Sequence, residues 1–116
     1  MKEYVLIFRM DILTQSKQPG PAQMEKYMKD WQKWIDGIEA KGQLSGGNHL
    51  SYTEGKVLRP KKVTTDGPYV VDHESVAGYI LVEAKDLDDA TSLAEKCPIL
   101  QGEGTSVEVR ATAMVI

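Results

Sequence analysis

Residues 3–10 read Glu-Tyr-Val-Leu-Ile-Phe-Arg-Met, and residues 76–84 read Val-Ala-Gly-Tyr-Ile-Leu-Val-Glu-Ala. Both stretches are rich in β-branched and aromatic residues, which is the composition of β-strands. Successive side chains of a strand point to opposite faces of the sheet, and both alternating sets are apolar here. Leu6 and Phe8 share one face while Ile7 lies on the other. We therefore predict two strands in a sheet that is apolar on both faces.

Two helices are predicted between the strands. Pro21 suits the first turn of a helix and Gly42 its end, and the apolar residues between them recur at helical spacing: Met24, Tyr27, Met28, Trp31, Ile35 and Ile38. We expect this stripe to be core rather than a cofactor site. Asp86 is a suitable N-cap for a second helix, which Pro98 ends; its apolar stripe is Leu87, Ala90, Ala94 and Cys97.

The remaining segments predict three more strands. Residues 43–52 and 56–65 are expected to form a hairpin that turns around Glu54-Gly55, and residues 106–116 alternate as a final strand. The segment 14–21 is a predicted loop. The order indicates one α+β domain over residues 1–116, a ferredoxin-like βαββαβ arrangement with an antiparallel sheet and an extra hairpin.

The charge and composition of the chain exclude several classes of function. The 116 residues have a net charge of -3, which leaves no basic surplus for nucleic acid, and no apolar run approaches a membrane span. The apolar start is too short for a signal peptide, so we expect a cytoplasmic protein. The single cysteine, Cys97, offers neither an internal disulfide nor a structural zinc site, and we expect no metal. Gly46-Gly47 lacks the spacing of a phosphate-binding loop, so no cofactor is expected.

The doubly apolar strands predict a homodimer. Two helices can cover only one face of a four-stranded sheet, and an exposed apolar face is rare in monomers. A second copy of the sheet would cover it, which makes a dimeric α/β barrel. The alternative is that the hairpin or the loop over residues 11–21 folds across the sheet, but that loop has few apolar residues.

Several motifs carry a family resemblance. They are Thr65-Asp66-Gly67-Pro68-Tyr69, then Ala77-Gly78-Tyr79-Ile80-Leu81-Val82-Glu83, then Asp86-Leu87-Asp88-Asp89-Ala90, Ala94-Glu95-Lys96-Cys97-Pro98 and Ser106-Val107-Glu108-Val109-Arg110, with Gly46-Gly47 after the first helix. In this order and at these spacings, the chain resembles the DGPF-domain branch of the YCII-related family over nearly its whole length. The resemblance implies a dimeric α/β barrel with a cleft between the sheet and the dimer partner, and no settled activity.

The sequence departs from that family in ways that bear on function. Tyr69 stands where Phe is usual, and Ala77-Gly78 where a Gly-Gly pair is common. The YCII proteins proper carry a proposed His-Asp pair with its His near the first helix, whereas this chain has no His before His49. That catalytic centre is therefore not transferred to this chain.

Strand parity suggests a site around His49 and Arg110. His49 has the parity opposite to Leu44 and Leu50, so we expect it to face away from the helices. Arg110, with Glu108, lies opposite the Val/Ala stripe of the last strand, so both should line the same open face. Arg110 could hold a carboxylate there, and His49 could act as acid or base. Alternatively, His49 makes a simple hydrogen bond and Arg110 pairs with Glu108 or Glu83.

Three further residues are candidates for catalysis or ligand binding. Asp66 either starts a turn or, at the mouth of a cleft, anchors a ligand or acts as a base. His73 lies between Asp72 and Glu74, whose carboxylates would favour its protonated form, and is otherwise a solvated loop residue. Tyr79 is a candidate ligand contact.

Two functions from different classes fit these residues. The first is a dimeric domain that binds a small organic anion in a cleft without chemistry. The second is a lyase or isomerase like the muconolactone-isomerase relatives of this barrel, with His49 or Asp66 transferring a proton. A His49 within hydrogen-bond reach of a carboxylate inside an apolar cleft would favour the enzyme.

Overall fold

The fold was analysed in a computed structural model, which describes residues 1–14 and 20–115. Its strands and helices follow in the order β1 (Lys2–Asp11), α1 (Pro21–Ala40), β2 (Leu44–His49), β3 (Lys56–Arg59), β4 (Val63–Asp66), β5 (Glu74–Ala84), α2 (Leu87–Ala94) and β6 (Ser106–Ala111). Two 3-10 turns, Pro60–Lys62 and Pro98–Gln101, precede β4 and β6. The predicted loop over 14–21 lies partly outside the described residues.

Four strands form the main sheet. Their order is β2-β5-β1-β6, and every neighbouring pair is antiparallel. With one helix after β1 and another after β5, this is the ferredoxin-like α+β arrangement predicted from the sequence. The helices begin as expected: Pro21 opens α1, and the Asp86 side chain accepts a hydrogen bond from the Asp89 N–H at 2.9 Å.

The core lies between the sheet and the two helices. Leu6 and Phe8 of β1 pack with buried residues of both helices, Trp31 and Ile38 of α1 and Leu93 of α2. The helices are tied together as well, because the Trp34 indole donates to the Leu93 carbonyl at 3.0 Å. Burial of this apolar surface is the main stabilisation of the domain.

No described residue covers the opposite face of the sheet. Residues paired directly across an antiparallel ladder share a face, so the pairs Ile7↔Tyr79 and Val5↔Leu81 lie together on the side away from the helices. All four are partly exposed. The Cα atoms extend only 19 Å along the shortest axis, which fits one sheet and one helix layer. We call this surface the open face.

The predicted hairpin is wrong in its pairing. β2 pairs with β5, not with the segment after it, and the predicted strand 56–65 folds on itself as β3 and β4. The reason lies in its middle: Pro60 has no N–H for a ladder, and Lys61 and Lys62 follow with φ of 66° and 62°. The result is a separate two-stranded sheet, which we call the arm.

Other predicted boundaries need smaller changes. β6 ends at Ala111, so the last residues of the predicted strand 106–116 lie beyond it, and Ile116 is outside the described residues. β5 begins two residues earlier than predicted, at Glu74. Among the described residues, no helix is long and apolar enough to cross a membrane.

Candidate functional site

An open cleft of about 970 Å³ lies beside α1, on the helix side of the sheet. Its floor comes from β1 and β5, one wall from the N-terminal half of α1, and the other from the segment after β2 and the 3-10 turn before β6. Its lining includes Phe8, Met10, Tyr27, Trp31, His49 and Tyr52. The volume is in the usual range of small-molecule sites.

Aromatic rings form the inner end of the cleft. The rings of Phe8 and Trp31 meet edge-to-face with centroids 4.9 Å apart, and the imidazole of His49 meets the Trp31 indole at 5.3 Å. Tyr27, one helical turn before Trp31, is also edge-on to it at 6.0 Å. Trp31 is 5% exposed, so the centre of this cluster is held rigidly in the core.

The apolar stripe of α1 divides into two parts, which corrects the prediction that all of it is core. Trp31 and Ile38 are buried, whereas Met24 and Met28 line the cleft and are 38% and 46% exposed. The i, i+4 spacing identified the stripe, but the sequence alone does not show where the sheet beneath the helix ends. Methionine suits such a surface because its side chain adapts to differently shaped ligands.

His49 lies on the helix side of the sheet, so its predicted orientation is wrong. The ladder pairs Leu44 with Val82 but Gly46 with Leu81, which leaves Ser45 as an extra residue in β2. A bulge of this kind shifts the alternation by one residue. His49 therefore pairs with Gly78, which pairs in turn with Phe8, and all three share the face that contacts α1.

Two glycines allow this close approach of β2 and β5. A Cβ on Gly78 would lie 2.9 Å from the Asn48 carbonyl oxygen and 3.2 Å from the His49 Cα. A Cβ on Gly47 would lie 2.4 Å from the Tyr79 carbonyl oxygen, and Gly47 also has a φ of 153°. The position of His49 thus depends on the absence of side chains at both positions.

The phenols of Tyr27 and Tyr52 supply polar atoms inside the cleft. Burial raises the pKa of Tyr27 above its ordinary value, and the Trp31 side chain partly offsets this rise. Burial also raises the pKa of Tyr52, whose hydroxyl contacts the Met10 sulfur at 3.6 Å. The Trp31 indole nitrogen is buried and has no partner in hydrogen-bond geometry among the described residues. Both phenols therefore stay neutral at physiological pH.

The charges at the rim of the cleft are mixed. Lys26 pairs with Asp30 at 3.2 Å, and Glu103 adds a further carboxylate. Within the described part of the chain, no carboxylate lies within salt-bridge distance of His49. Nor do residues 1–14 and 20–115 hold a group of three or more His, Cys, Asp or Glu side chains close enough for a metal ion.

Arg110 lies on the other side of the sheet, so the predicted convergence of His49 and Arg110 is wrong. Arg110 pairs across the ladder with Val5, and its guanidinium lies 3.5 Å from Glu108. Glu108 is already bound by Arg9 at 2.6 Å. Tyr79 is on the same open face, where its hydroxyl accepts a hydrogen bond from the Asn48 amide at 3.4 Å. Arg110 and Glu108 do share the open face, as predicted, and Tyr79 lies there too, but His49 does not.

Asp66 and His73 lie away from the cleft. Asp66 ends β4 of the arm, where its exposed carboxylate pairs with Lys56 at 3.0 Å and helps to close the base of the arm. His73 is exposed in a two-residue turn closed by Val71 and Glu74. Neither residue lines the cleft, so the sequence-predicted candidates fall into separate places and only His49 belongs to it.

The fold and the cleft define a ferredoxin-like α+β domain with an aromatic site between helix and sheet. The YCII-related domain family matches residues 8–113, so the chain belongs to that family. A search of the curated proteins found no match. Among solved structures, 5-chloro-2-hydroxyhydroquinone dehydrochlorinase from Burkholderia phenoliruptrix AC1100, in complex with 2,5-dihydroxybenzoquinone, is similar over 90% of each chain, with 20% identity and a TM-score of 0.44.

Proposed function

We propose that this YCII-related protein binds a small, planar, mainly apolar organic molecule in the cleft beside α1. The observation that carries the proposal is the contact of Trp31 with both Phe8 and His49 at the inner end of the cleft. Aromatic walls with a few polar atoms are the usual lining of small-molecule sites. The Met24 and Met28 side chains at the entrance would adapt to the outer part of the ligand.

The chemistry of the cleft favours an aromatic ring over an aliphatic anion. Lys26 at the rim is paired with Asp30, and Glu103 would repel a carboxylate. An organic anion of the kind expected from the sequence would instead have to bind at Arg110 on the open face. There Arg9 and Arg110 flank the single carboxylate of Glu108.

Fluorescence of Trp31 tests this proposal. The chain has two tryptophans, and a Trp34→Phe variant would leave Trp31 as the sole indole reporter. We expect substituted phenols to change its emission on titration, whereas succinate does not. Replacing Tyr52 by Ala should weaken that binding by roughly fivefold, the value of one aromatic contact. Leu58→Ala on the arm is the matched control. A Trp31 signal that responds to no aromatic compound would overturn the proposal.

Proton transfer by His49 is the second candidate function. His49 is exposed beside the aromatic rings of the cleft, and imidazole is the commonest general acid and base in enzymes. The carboxylate partner that would favour an enzyme is not within reach among the described residues. We therefore rank binding first and a lyase or isomerase activity second.

We also propose that the protein acts as a homodimer through the open face. Ile7, Leu81 and Tyr79 form an apolar strip there that no described segment covers. Monomers rarely leave such a surface in water, and a second copy of the same sheet would bury it symmetrically. Sedimentation equilibrium tests this: a monomer at micromolar concentration would overturn the dimer.

A further inference from the structure

The arm has little support from the described part of its own protomer, where the Arg59 guanidinium lies 5.6 Å from the centre of the Tyr69 ring. β3 and β4 pair only with each other, and neither packs appreciably on another strand or helix. Leu58 and Val63 are 77% and 50% exposed. A lone two-stranded hairpin is marginally stable in water. The radius of gyration is 15.5 Å, against about 13 Å for a compact chain of this length, which fits an arm that projects from the body.

The arm is basic, and the far end of the sheet is acidic. Residues 56–66 carry four cations and one carboxylate, and the cations are Lys56, Arg59, Lys61 and Lys62. At the opposite end of the sheet, Glu3 and Glu83 are direct cross-strand partners. With Asp86, Asp88 and Asp89 they make five carboxylates beside two lysines, Lys2 and Lys85. We call this group the acidic end.

Topology places these two groups at opposite ends of one protomer. The arm follows β2, which ends at His49 opposite Gly78, near the start of β5. The acidic end lies where β5 finishes and β1 begins. The arm and the acidic end therefore cannot meet within one chain without crossing the length of the sheet.

Among the two-fold axes that stack two copies on their open faces, an axis along the strands and an axis across them are the two limiting cases. An axis along the strands sets Glu3 and Glu83 against the same residues of the other copy and brings both basic arms together. An axis across the strands sets each arm beside the acidic end of the other copy. Like charges placed opposite one another are costly, whereas opposite charges fix the orientation of an interface.

We propose that the arm of each protomer docks on the acidic end of a second copy of this chain. This inference rests on the proposed dimer and adds its orientation. Lys61 and Lys62 at the tip face Glu3 and Glu83 of the other copy. Each end of the dimer thus has one arm in contact with one acidic end.

Charge exchange tests the contact. Sedimentation equilibrium at low salt should show a dimer dissociation constant raised roughly tenfold in Lys61→Glu/Lys62→Glu, since several rim charges are reversed. Adding Glu3→Lys/Glu83→Lys to that variant should restore the wild-type value. Lys33→Glu/Lys41→Glu, with one change on α1 and one directly after it, makes the same change in net charge and is the control. Equal dissociation constants in the arm variant and the control would overturn the arm contact.

Cross-linking tests the orientation. Val63→Cys/Glu83→Cys should give a covalent dimer with a short bismaleimide, and the native Cys97 does not interfere because it is buried. Val63→Cys alone and Glu83→Cys alone should each give none. Covalent dimers from either single variant would mean that like ends of the two copies meet, and none from the double variant would mean that the arm does not reach the acidic end. A wild-type monomer in sedimentation would instead refute the dimer itself.

Discussion

The imidazole of His49 lies at a steep angle to the indole of Trp31, with 5.3 Å between the ring centroids and 68° between the planes. One residue comes from the end of an edge strand and the other from the middle of a helix. Their contact joins a rigid, buried group to an exposed one, and this is the arrangement in which a ligand can be held against a fixed wall. The contact depends on how closely β2 approaches β5.

Gly78→Ala tests that dependence. The new methyl would lie 2.9 Å from the Asn48 carbonyl oxygen and 3.2 Å from the His49 Cα, so β2 must move. We expect the free energy of unfolding to fall by about 1–3 kcal/mol, the usual cost of overpacking, and the binding of aromatic ligands to weaken. Urea denaturation and Trp31 fluorescence titration measure the two effects.

Gly37→Ala is the matched control for that variant. Nothing lies within 4 Å of a Cβ at Gly37, which is inside α1. Alanine there should raise the free energy of unfolding by about 0.5–1 kcal/mol and leave ligand binding unchanged. If Gly78→Ala behaved like this control, the close approach of β2 would not position His49.

The two faces of β1 should respond differently to charge. Leu6 is 0% exposed, so Leu6→Asp places a carboxylate in the core and should unfold the domain. Ile7 is partly exposed on the open face, so Ile7→Asp should keep the fold and dissociate the proposed dimer. Circular dichroism reports the fold and sedimentation equilibrium the association. A folded, dimeric Ile7→Asp protein would argue against the open face as the interface.

The sequence predicted the elements better than the site, and β2 shows why. Alternation along β1 and β6, and along β5 after the irregularity at Ala77, is regular enough that Leu6, Ile80 and Val109 could be assigned to the helix side. In β2 the bulge at Ser45 reverses the alternation, and Gly46 and Gly47 have no side chains that would mark the change. The orientation of His49 therefore followed from pairing with β5, which is a tertiary contact.

The arm is a second feature that could not be predicted from the sequence alone. Pro60 was present as a signal against a continuous strand over 56–65, but the turn it begins is completed by two lysines with positive φ, an uncommon conformation for that residue. The aromatic wall was visible as the spacing of Tyr27 and Trp31, yet the same spacing equally describes a core helix. Which part of the stripe is covered depends on where the sheet ends.

The thiol of Cys97 should make stability fall at alkaline pH. Burial raises its pKa to about 12 from the ordinary 9.0. In the unfolded chain the Cys97 thiol ionises near its ordinary pKa, whereas in the folded chain it stays protonated to higher pH. The contribution of the protonated thiol to stability is therefore complete below about pH 9 and is lost as the pH rises towards 12. Between pH 8 and pH 10 the ionisation of this thiol in the unfolded chain should lower the free energy of unfolding by about 1 kcal/mol.

Cys97→Ala separates this effect from the tyrosines. Tyr27 and Tyr52 also have raised pKa values and act in the same direction at higher pH, but they are present in both proteins. Urea denaturation at pH 8 and pH 10 should therefore show a smaller loss of stability in the variant than in the wild type. Equal losses would mean that the thiol is more accessible than its burial indicates.

His49→Phe distinguishes the two candidate functions. A phenyl ring can keep the edge contact with Trp31, whereas it can neither accept nor donate a proton. If the protein only binds, the variant should bind the same aromatic ligands within a few-fold of wild type. If His49 transfers a proton, NMR in D₂O should show the wild type exchanging an acidic C–H of a bound ligand for deuterium, and the variant should lose this exchange while keeping its affinity. His49→Ala serves as the comparison, since it removes both the ring and the proton carrier. Wild-type protein that binds its ligands without any deuterium incorporation would leave His49 as part of the wall of a binding site and contradict the lyase or isomerase alternative.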